Sequence, residues 1–289
     1  MSKVAVMTDT NSGIVKSEAD SLGVALLPMP FIIDGKDYLE GVNLTHEEFY
    51  SMLDNGAEVS TSQPTPASLC DMWDDLLEQG YDEIVYIPMS SGLSKSCETA
   101  ISFSAEYDGK VQVVDNQRIS VTQRQSVVDA LKLVSDGKNA KEIKEILERD
   151  KLESSIYITV DTLKYLKKGG RITPTAAALG TVLNLKPVLQ IQGEKLDAYA
   201  KVRGMKAARN TMVEALLNDY ETRFDSLAKS GKLAVCIAYS WVDDETLQSW
   251  IDEIKAAFPK HEIHATPLAL SVACHIGKGA LAGALCIIE

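Results

Sequence analysis

Short apolar segments alternate with amphipathic segments along almost the whole chain. Residues 4–7, 83–88 and 155–160 are three of the apolar segments, and each has the length and composition of a buried β-strand. The clearest amphipathic segment covers residues 66–79, where Leu69 and Trp73 share one face of a predicted helix. Strands that alternate with helices in this way are typical of α/β proteins. The sequence therefore predicts an α/β fold.

The remaining segments continue this pattern and suggest two domains. Further strands are predicted at residues 24–31, 111–114, 187–191, 195–202, 233–238, 261–267 and 281–288, and further helices at residues 93–106, 125–135, 140–148, 204–227 and 244–258. A chain of 289 residues is long enough to form one large domain or two smaller ones. Because a new strand begins near residue 155, we predict an N-terminal α/β domain of residues 1–154 and a C-terminal α/β domain of residues 155–289.

Composition argues against several classes of function. The 41 acidic and 29 basic residues give a net charge of −12, which would repel the phosphates of nucleic acid. No apolar segment reaches the ~20 residues that a membrane-spanning helix requires, and the first residues show no signal-peptide pattern. The five cysteines are scattered, so neither a disulfide framework nor a zinc site is expected. We therefore predict a cytoplasmic protein without a nucleic-acid partner, stable membrane insertion or a metal.

Two hydroxyl-rich loops precede predicted helices. The loop at residues 59–65 carries Thr61 and Ser62, and the loop at residues 90–96 carries Ser94 directly after a predicted strand. Hydroxyl groups and free backbone N–H groups at the start of a helix suit a carboxylate or a phosphate. The alternative is that these serine and threonine residues only cap helices and form turns.

A third polar loop is basic and contains two adjacent glycines. Residues 166–174 place Lys168 and Arg171 on either side of Gly169-Gly170. The glycines allow the backbone to approach a ligand or partner closely, and the cations would attract anions. The alternative is a glycine that ends one helix and Thr173 that caps the next. His275, which precedes a glycine-rich turn, is the one histidine that we consider for a site.

Several segments, in this order and spacing, resemble the DegV family of bacterial fatty-acid-binding proteins, the carrier subunits of fatty acid kinase. The segments are Thr8-Asp9-Thr10, Thr61-Ser62-Gln63-Pro64, Ser90-Ser91-Gly92-Leu93-Ser94, Leu166-Lys167-Lys168-Gly169-Gly170-Arg171-Ile172, Leu183-Asn184-Leu185-Lys186-Pro187-Val188-Leu189 and Val202-Arg203-Gly204. The resemblance covers nearly the whole chain. It departs near the C-terminus, where Lys278 stands in place of the usual proline and Ala282 in place of the last glycine.

The resemblance implies two α/β domains with a long-chain fatty acid, such as palmitate or oleate, bound between them. By motif, Ser62, Ser94 and Thr61 would bind the carboxylate, with His275 and Arg203 contributing from the C-terminal domain. A partner kinase subunit would supply ATP and phosphorylate the bound acid, so this chain would itself be neither an enzyme nor the carrier of a cofactor. Lys168 and Arg171 would contact the kinase or the new phosphate.

Enzymatic functions are the alternatives to a carrier. One is a hydrolase in which Ser91 or Ser94 is the nucleophile and His275 the base, which would also need an orienting acid and an oxyanion hole. The other is a phosphotransferase that acts on a small acyl or phosphorylated substrate, remotely like the dihydroxyacetone kinases. A plain structural module fits poorly with three hydroxyl- and glycine-rich loops.

Overall fold

The structure is a computed structural model that describes residues 2–179 and 185–289. The strands within these residues are β1 (Val4–Asp9), β2 (Ala25–Leu27), β3 (Pro30–Ile33), β4 (Lys36–Leu39), β5 (Val59–Thr61), β6 (Glu83–Ile87), β7 (Val111–Val113), β8 (Ser154–Thr159), β9 (Leu185–Ile191), β10 (Asp197–Arg203), β11 (Leu233–Tyr239), β12 (Ile263–Pro267) and β13 (Leu281–Ile287). The helices are α1 (Lys16–Leu22), α2 (His46–Asp54), α3 (Pro66–Glu78), α4 (Ser96–Ser104), α5 (Ser120–Ser135), α6 (Ala140–Arg149), α7 (Lys164–Gly169), α8 (Pro174–Ala177), α9 (Met205–Glu221), α10 (Asp225–Lys229), α11 (Asp244–Ala257) and α12 (Leu270–Ile276). Short 3₁₀ helices cover Thr10–Ser12 and Ala105–Tyr107.

The first half of the chain is built on a parallel sheet with the strand order β2-β1-β6-β7. Side chains of a strand alternate between the two faces of a sheet. On one face, Met7 and Tyr86 pack against Trp73 of α3 and against α4. On the other face, Val6 and Val85 pack against α5 and α6. Helices therefore cover both faces, as in other α/β proteins with parallel sheets.

A small antiparallel sheet, with the order β4-β3-β5, extends the first half. It packs on α2 through Phe31 and Phe49, and the same apolar cluster includes Leu270 and Ala273 of α12. Helix α12 belongs to the last part of the chain. The small sheet and α2 therefore pack against a helix that lies near the end of the sequence.

The second half of the chain is built on a mixed sheet with the order β10-β9-β8-β13-β11-β12. One face packs on α9 and α11 through residues such as Met212 and Trp250. The other face presents Ile156 and Ile158 of β8 to Leu93 and Val121 of the first half. This second face is the apolar boundary between the two halves.

The predicted α/β fold is confirmed, and some predicted elements differ in length or number. The strand predicted at residues 24–31 is two strands, because β2 pairs with β1 whereas β3 turns away to pair with β4 and β5. The helix predicted at residues 204–227 is two helices, α9 and α10. The helix predicted at residues 93–106 begins only at Ser96, because the preceding residues form the loop described below. Among the described residues, no sheet combines strands from both sides of residue 154; the domain boundary stays a prediction.

Candidate functional site

A cavity of about 260 Å³ lies between the two halves of the molecule. Most of its inner wall is apolar. The side chains of this wall come from the ends of first-half elements and from the inner face of the mixed sheet: Leu93, Ile119, Val121, Ile156, Ile158 and Ile191. Such a wall suits a hydrocarbon, because apolar surface placed there leaves water.

Polar groups lie at the exposed rim of the cavity. Thr61 is the last residue of β5, and Ser62 and Gln63 follow it as exposed side chains. His275 of α12 completes this rim from the other half, with its Nε2 atom 2.9 Å from Thr61 Oγ1. The β5 strand and α12 therefore bring together two residues that are 214 positions apart in the sequence.

The Gly169-Gly170 pair fixes the position of the His275 ring. A Cβ atom on Gly169 would lie 2.1 Å from His275 Nδ1, so only glycine allows the ring to occupy this place. Gly170 ends α7 with a φ of 69°, a left-handed conformation that glycine adopts without strain. The glycine pair thus ends a helix, as the alternative predicted, and also leaves room for the histidine. The approach of this loop to a ligand or partner stays a prediction.

The Ser94 loop rests on the second half of the molecule. Ser90 Oγ donates to the backbone oxygen of Gly193 at 3.1 Å, and a Cβ atom on Gly92 would lie 2.8 Å from the Cα atom of Glu194. Ser94 lines the cavity, and its Oγ atom accepts from the backbone N–H of Ser96 at 3.2 Å. Because Oγ is an acceptor in that bond, the Ser94 hydroxyl proton is free to donate to a ligand.

Burial keeps His275 uncharged. Loss of solvation, with a smaller effect of the nearby Arg171 charge, lowers the pKa of His275 from 6.5 to about 4. The imidazole is therefore neutral at pH 7, with one ring nitrogen as donor and the other as acceptor. Arg171 also lines the cavity, and its guanidinium donates to the backbone oxygens of Leu93, at 3.1 Å, and of Gly169. Among the described residues, Arg171 and Lys95 are consequently the cations that line the cavity.

The three basic residues predicted for the site lie in different places. Arg203 ends the edge strand β10, is exposed, and does not line the cavity. The reason is strand alternation, which turns Val202 toward α9 and Arg203 toward solvent. Lys168 is exposed and pairs with Glu58. Arg171, predicted to contact the kinase or the new phosphate, lies in the cavity wall, and either contact stays a prediction. Leu183 and Asn184 of the resemblance lie outside the described residues.

The cavity wall contains polar residues that the sequence did not single out. Ser271 of α12 donates through Oγ to Asn11 Oδ1 at 2.6 Å, and both residues are buried in the wall. Asn11 directly follows the Thr8-Asp9-Thr10 motif, which was the available signal for it. Ser120, at the start of α5, also lines the cavity. No sequence pattern marked Ser271 or Ser120.

No helix within residues 2–179 and 185–289 combines the length and apolar character required to span a bilayer. The same residues contain no group of three or more His, Cys, Asp or Glu side chains arranged to hold a metal ion.

Comparison with known proteins connects this chain with one family. The family profile of DegV, described as an uncharacterised protein family, matches residues 3–287. A DegV domain-containing protein of Deinococcus radiodurans is 33% identical over 212 residues, which are 73% of this chain and 75% of the relative. Another from Listeria innocua is 28% identical over 281 residues, 96% of each chain.

Solved structures agree with the family profile. A DegV family protein of Thermus thermophilus described for its fatty acid binding superposes with a TM-score of 0.86 at 27% identity, covering 99% of this chain and 100% of that one. A fatty-acid-binding DegV family protein of Streptococcus agalactiae superposes with a TM-score of 0.88 at 26% identity over 100% of both chains. The chain described here belongs to the DegV family.

Proposed function

We propose that this protein binds a long-chain fatty acid in the cavity between its two halves. The observation that carries the proposal is the hydrogen-bonded Thr61–His275 pair at the polar rim of a cavity whose wall is mostly apolar. A fatty acid has the same division into a polar end and a long apolar chain. The two family members from T. thermophilus and S. agalactiae, both described as fatty-acid-binding, support this choice of ligand.

The rim suits the carboxylate. In this proposal the hydroxyl groups of Ser62 and Ser94 donate to the carboxylate oxygens. His275 Nε2–H donates to Thr61 Oγ1, and the Thr61 hydroxyl proton is then available to donate to the carboxylate as well. A carboxylate removed from water needs several donors, since otherwise it would take up a proton. The positive charge of Arg171, in the same wall, further favours the charged form. Arg203 has no part in this assignment because it is exposed outside the cavity.

The apolar wall suits the hydrocarbon chain. A tail of about 14 methylene groups releases on the order of 11 kcal/mol before the costs of binding, at about 0.8 kcal/mol for each group. These costs include the lost freedom of the ligand and consume a large part of that sum. The tail therefore supplies most of the affinity, and the hydroxyl groups of the rim select a carboxylate.

The assignment of the carboxylate can be tested by substitution. Displacement of a fluorescent fatty acid by oleate would be measured for the wild type and for the variant Ser62→Ala/Ser94→Ala. We expect the double variant to bind oleate at least tenfold more weakly, since two hydrogen bonds to a charged group are lost. Ser91→Ala is the matched control in the same loop, because Ser91 does not line the cavity. Equal affinity of the double variant and the control would refute the assignment.

We further propose that a separate kinase subunit phosphorylates the bound acid. In that step a carboxylate oxygen attacks the γ-phosphorus of ATP, ADP leaves, and an acyl phosphate forms. Arg171 would offset the added negative charge, and the exposed Lys168 would contact the kinase. The change Lys168→Glu should then lower kinase-dependent acyl phosphate formation without changing fatty acid affinity. The neighbouring exposed residue provides the control, Lys167→Glu, and equal turnover of these two variants would contradict a docking role for Lys168.

The hydrolase alternative receives little support from the histidine. His275 Nε2 contacts Thr61 rather than a serine, and its Nδ1 atom faces Gly169. A Ser-His-acid triad needs an acid at that second nitrogen. The phosphotransferase alternative predicts that the protein alone, with ATP and a fatty acid, forms an acyl phosphate. The carrier proposal predicts that it forms none until the kinase is added.

A further inference from the structure

A buried serine lies in the cavity wall at the start of α5. Ser120 lines the cavity and is 5% exposed. Its Oγ atom has no hydrogen-bond partner among the residues that the structure describes. A buried hydroxyl group without a partner costs free energy, and such groups are rare in folded proteins. A molecule in the cavity can supply the hydrogen bond that Ser120 makes to no described residue.

The surroundings of Ser120 differ from those of the rim. Its neighbours Ile119 and Val121 belong to the apolar cluster that also contains Ile156 of the mixed sheet. Ser62, in contrast, is an exposed residue of the rim. The Ser120 hydroxyl is therefore a polar group in the apolar part of the wall, where the proposed function places the hydrocarbon tail.

The start of α5 adds further donors beside Ser120. The helix has 16 residues, and the N–H groups of its first turn have no partner within the helix. A polar side chain directly before a helix often accepts from these groups. Ile119 holds this position in α5, and its side chain contains only carbon atoms. The helix dipole also places partial positive charge at this end. The start of α5 therefore favours an oxygen atom as the partner.

The backbone on both sides of Ser120 is fixed by hydrogen bonds. The backbone oxygen of Arg118 accepts from the N–H of Ser90 at 2.8 Å. Gln123 Nε2 donates to Asp9 Oδ1 at 3.0 Å. Ser120 has a φ of 55°, a conformation that costs free energy and persists only where neighbouring contacts fix it. Ser120 consequently lies at a rigid point of the cavity wall.

We propose that Ser120 and the start of α5 form a polar subsite that binds an oxygen atom on the tail of the ligand. The substrate class is then long-chain fatty acids that carry a hydroxyl group along the chain. The inference rests on the proposed function, because the carboxylate must bind at the rim for the tail to reach Ser120. A neutral hydroxyl suits this subsite better than a second carboxylate, since burial of a charge beside Ile119 and Val121 would be costly.

The subsite discriminates between plain and hydroxylated tails in both directions. A plain tail excludes water from Ser120 and leaves its hydroxyl group buried without a partner. A hydroxylated tail finds a partner at Ser120, but its own hydroxyl group is left unpaired when Ser120 is replaced by alanine. A site that binds a substrate hydroxyl rejects the analogue that lacks it. Removal of the Ser120 hydroxyl should therefore weaken binding of the hydroxylated acid and strengthen binding of the plain acid.

Native mass spectrometry of competing ligands measures this preference. The protein is mixed with equal amounts of stearic acid and one hydroxystearic acid, and the two complexes differ in mass by one oxygen. Separate mixtures contain 8-, 10- or 12-hydroxystearic acid. The test variants are Ser120→Ala, which keeps the strained backbone, and Ser120→Gly, which relieves the strain. Ser91→Ala is the control, because Ser91 does not line the cavity.

The ratio of the two complexes reports recognition, since a loss of stability would lower both complexes alike. Relative to the wild type and the control, we expect the best-bound hydroxystearic acid to lose at least about tenfold against stearic acid in both Ser120 variants. A ratio that stays unchanged in either variant for every isomer would overturn the inference. The same result is expected if Ser120 binds only water or donates to the carboxylate. Failure of the proposed function would look different, because the wild type would then form a complex with none of these acids.

Discussion

His275 is the residue whose chemistry most depends on its surroundings. Gly169 leaves room for its ring, Thr61 Oγ1 lies 2.9 Å from Nε2, and burial keeps the ring neutral. A neutral imidazole can pass a hydrogen bond through Thr61 to a carboxylate, whereas an isolated positive charge at this depth would be costly. The neutral state is therefore part of the proposed site.

The neutral His275 should make the folded protein sensitive to acid. The unfolded chain takes up a proton on this histidine near pH 6.5, but the folded protein does so only near pH 4. The unfolded state thus binds more protons in this interval, and stability should fall as the pH falls through it. The full difference amounts to about 3 kcal/mol. Thermal unfolding of the wild type and His275→Gln between pH 4 and pH 7 measures it.

The difference in stability between the wild type and His275→Gln isolates the contribution of His275 to the pH dependence. Glu40 contributes in the opposite direction, because burial raises its pKa to about 7 and the folded state therefore loses stability as the pH rises from 4.5 toward 7. That contribution is common to both proteins and cancels in the difference. Identical pH profiles would show that His275 is not held neutral.

Ser120 is held in a strained backbone conformation. Its φ is 55°, in the left-handed region that favours glycine, and its buried Oγ atom has no hydrogen-bond partner within residues 2–179 and 185–289. Ser120→Gly should raise the free energy of unfolding by about 1 kcal/mol, because strain is removed and no hydrogen bond is lost. Urea denaturation provides the measurement. A destabilised Ser120→Gly variant would contradict this account of the residue.

At the scale of elements, the loop before α4 joins the two halves of the molecule. Gly92 packs against the backbone of Glu194, and Ser90 donates to the backbone oxygen of Gly193. Arg171 donates to the backbone oxygen of Leu93 in the same loop. The loop that carries Ser94 is thus held by the turn between β9 and β10 and by Arg171, two residues after the end of α7.

Gly92→Ala tests this contact between the elements. The added Cβ would lie 2.8 Å from a backbone Cα atom, which cannot move as a flexible side chain would. We expect a loss of about 1–3 kcal/mol in the free energy of unfolding and weaker fatty acid binding, because Ser94 moves with the loop. Ser91→Ala, in the same loop, should change neither quantity. If Gly92→Ala matches this control in urea denaturation, the packing of the loop is not as described.

Sequence reasoning located elements that depend on local signals. Helix α3 begins at Pro66 as predicted, since Thr65 caps it and proline suits its first turn. The rim residues Thr61 and Ser62 also lie in a recognisable loop. The contact between Glu40 and Leu270 could not be found in this way, because the two residues are 230 positions apart and neither belongs to a motif. Only the motif indicated Arg203 as a site residue. Side chains of β10 alternate between the two faces of the strand, and that of Arg203 points to solvent.

At the scale of the whole molecule, the site depends on contacts between distant parts of the chain. Thr61 meets His275, Asn11 meets Ser271, and Glu40 meets Leu270, in each case from opposite halves. The net charge of −12 opposes a carboxylate at long range. Binding must therefore rely on hydrogen-bond donors at the rim and on burial of the tail. Salt screens the long-range repulsion but has much less effect on charged contacts that are buried.

Native mass spectrometry tests the central proposal most directly. The freshly purified protein would be measured before and after incubation with oleate or palmitate, beside the Ser62→Ala/Ser94→Ala variant. We predict a complex with one long-chain fatty acid in the wild type and a marked loss of that complex in the variant. A wild-type protein that stays at its own mass in the presence of both fatty acids would contradict the proposal.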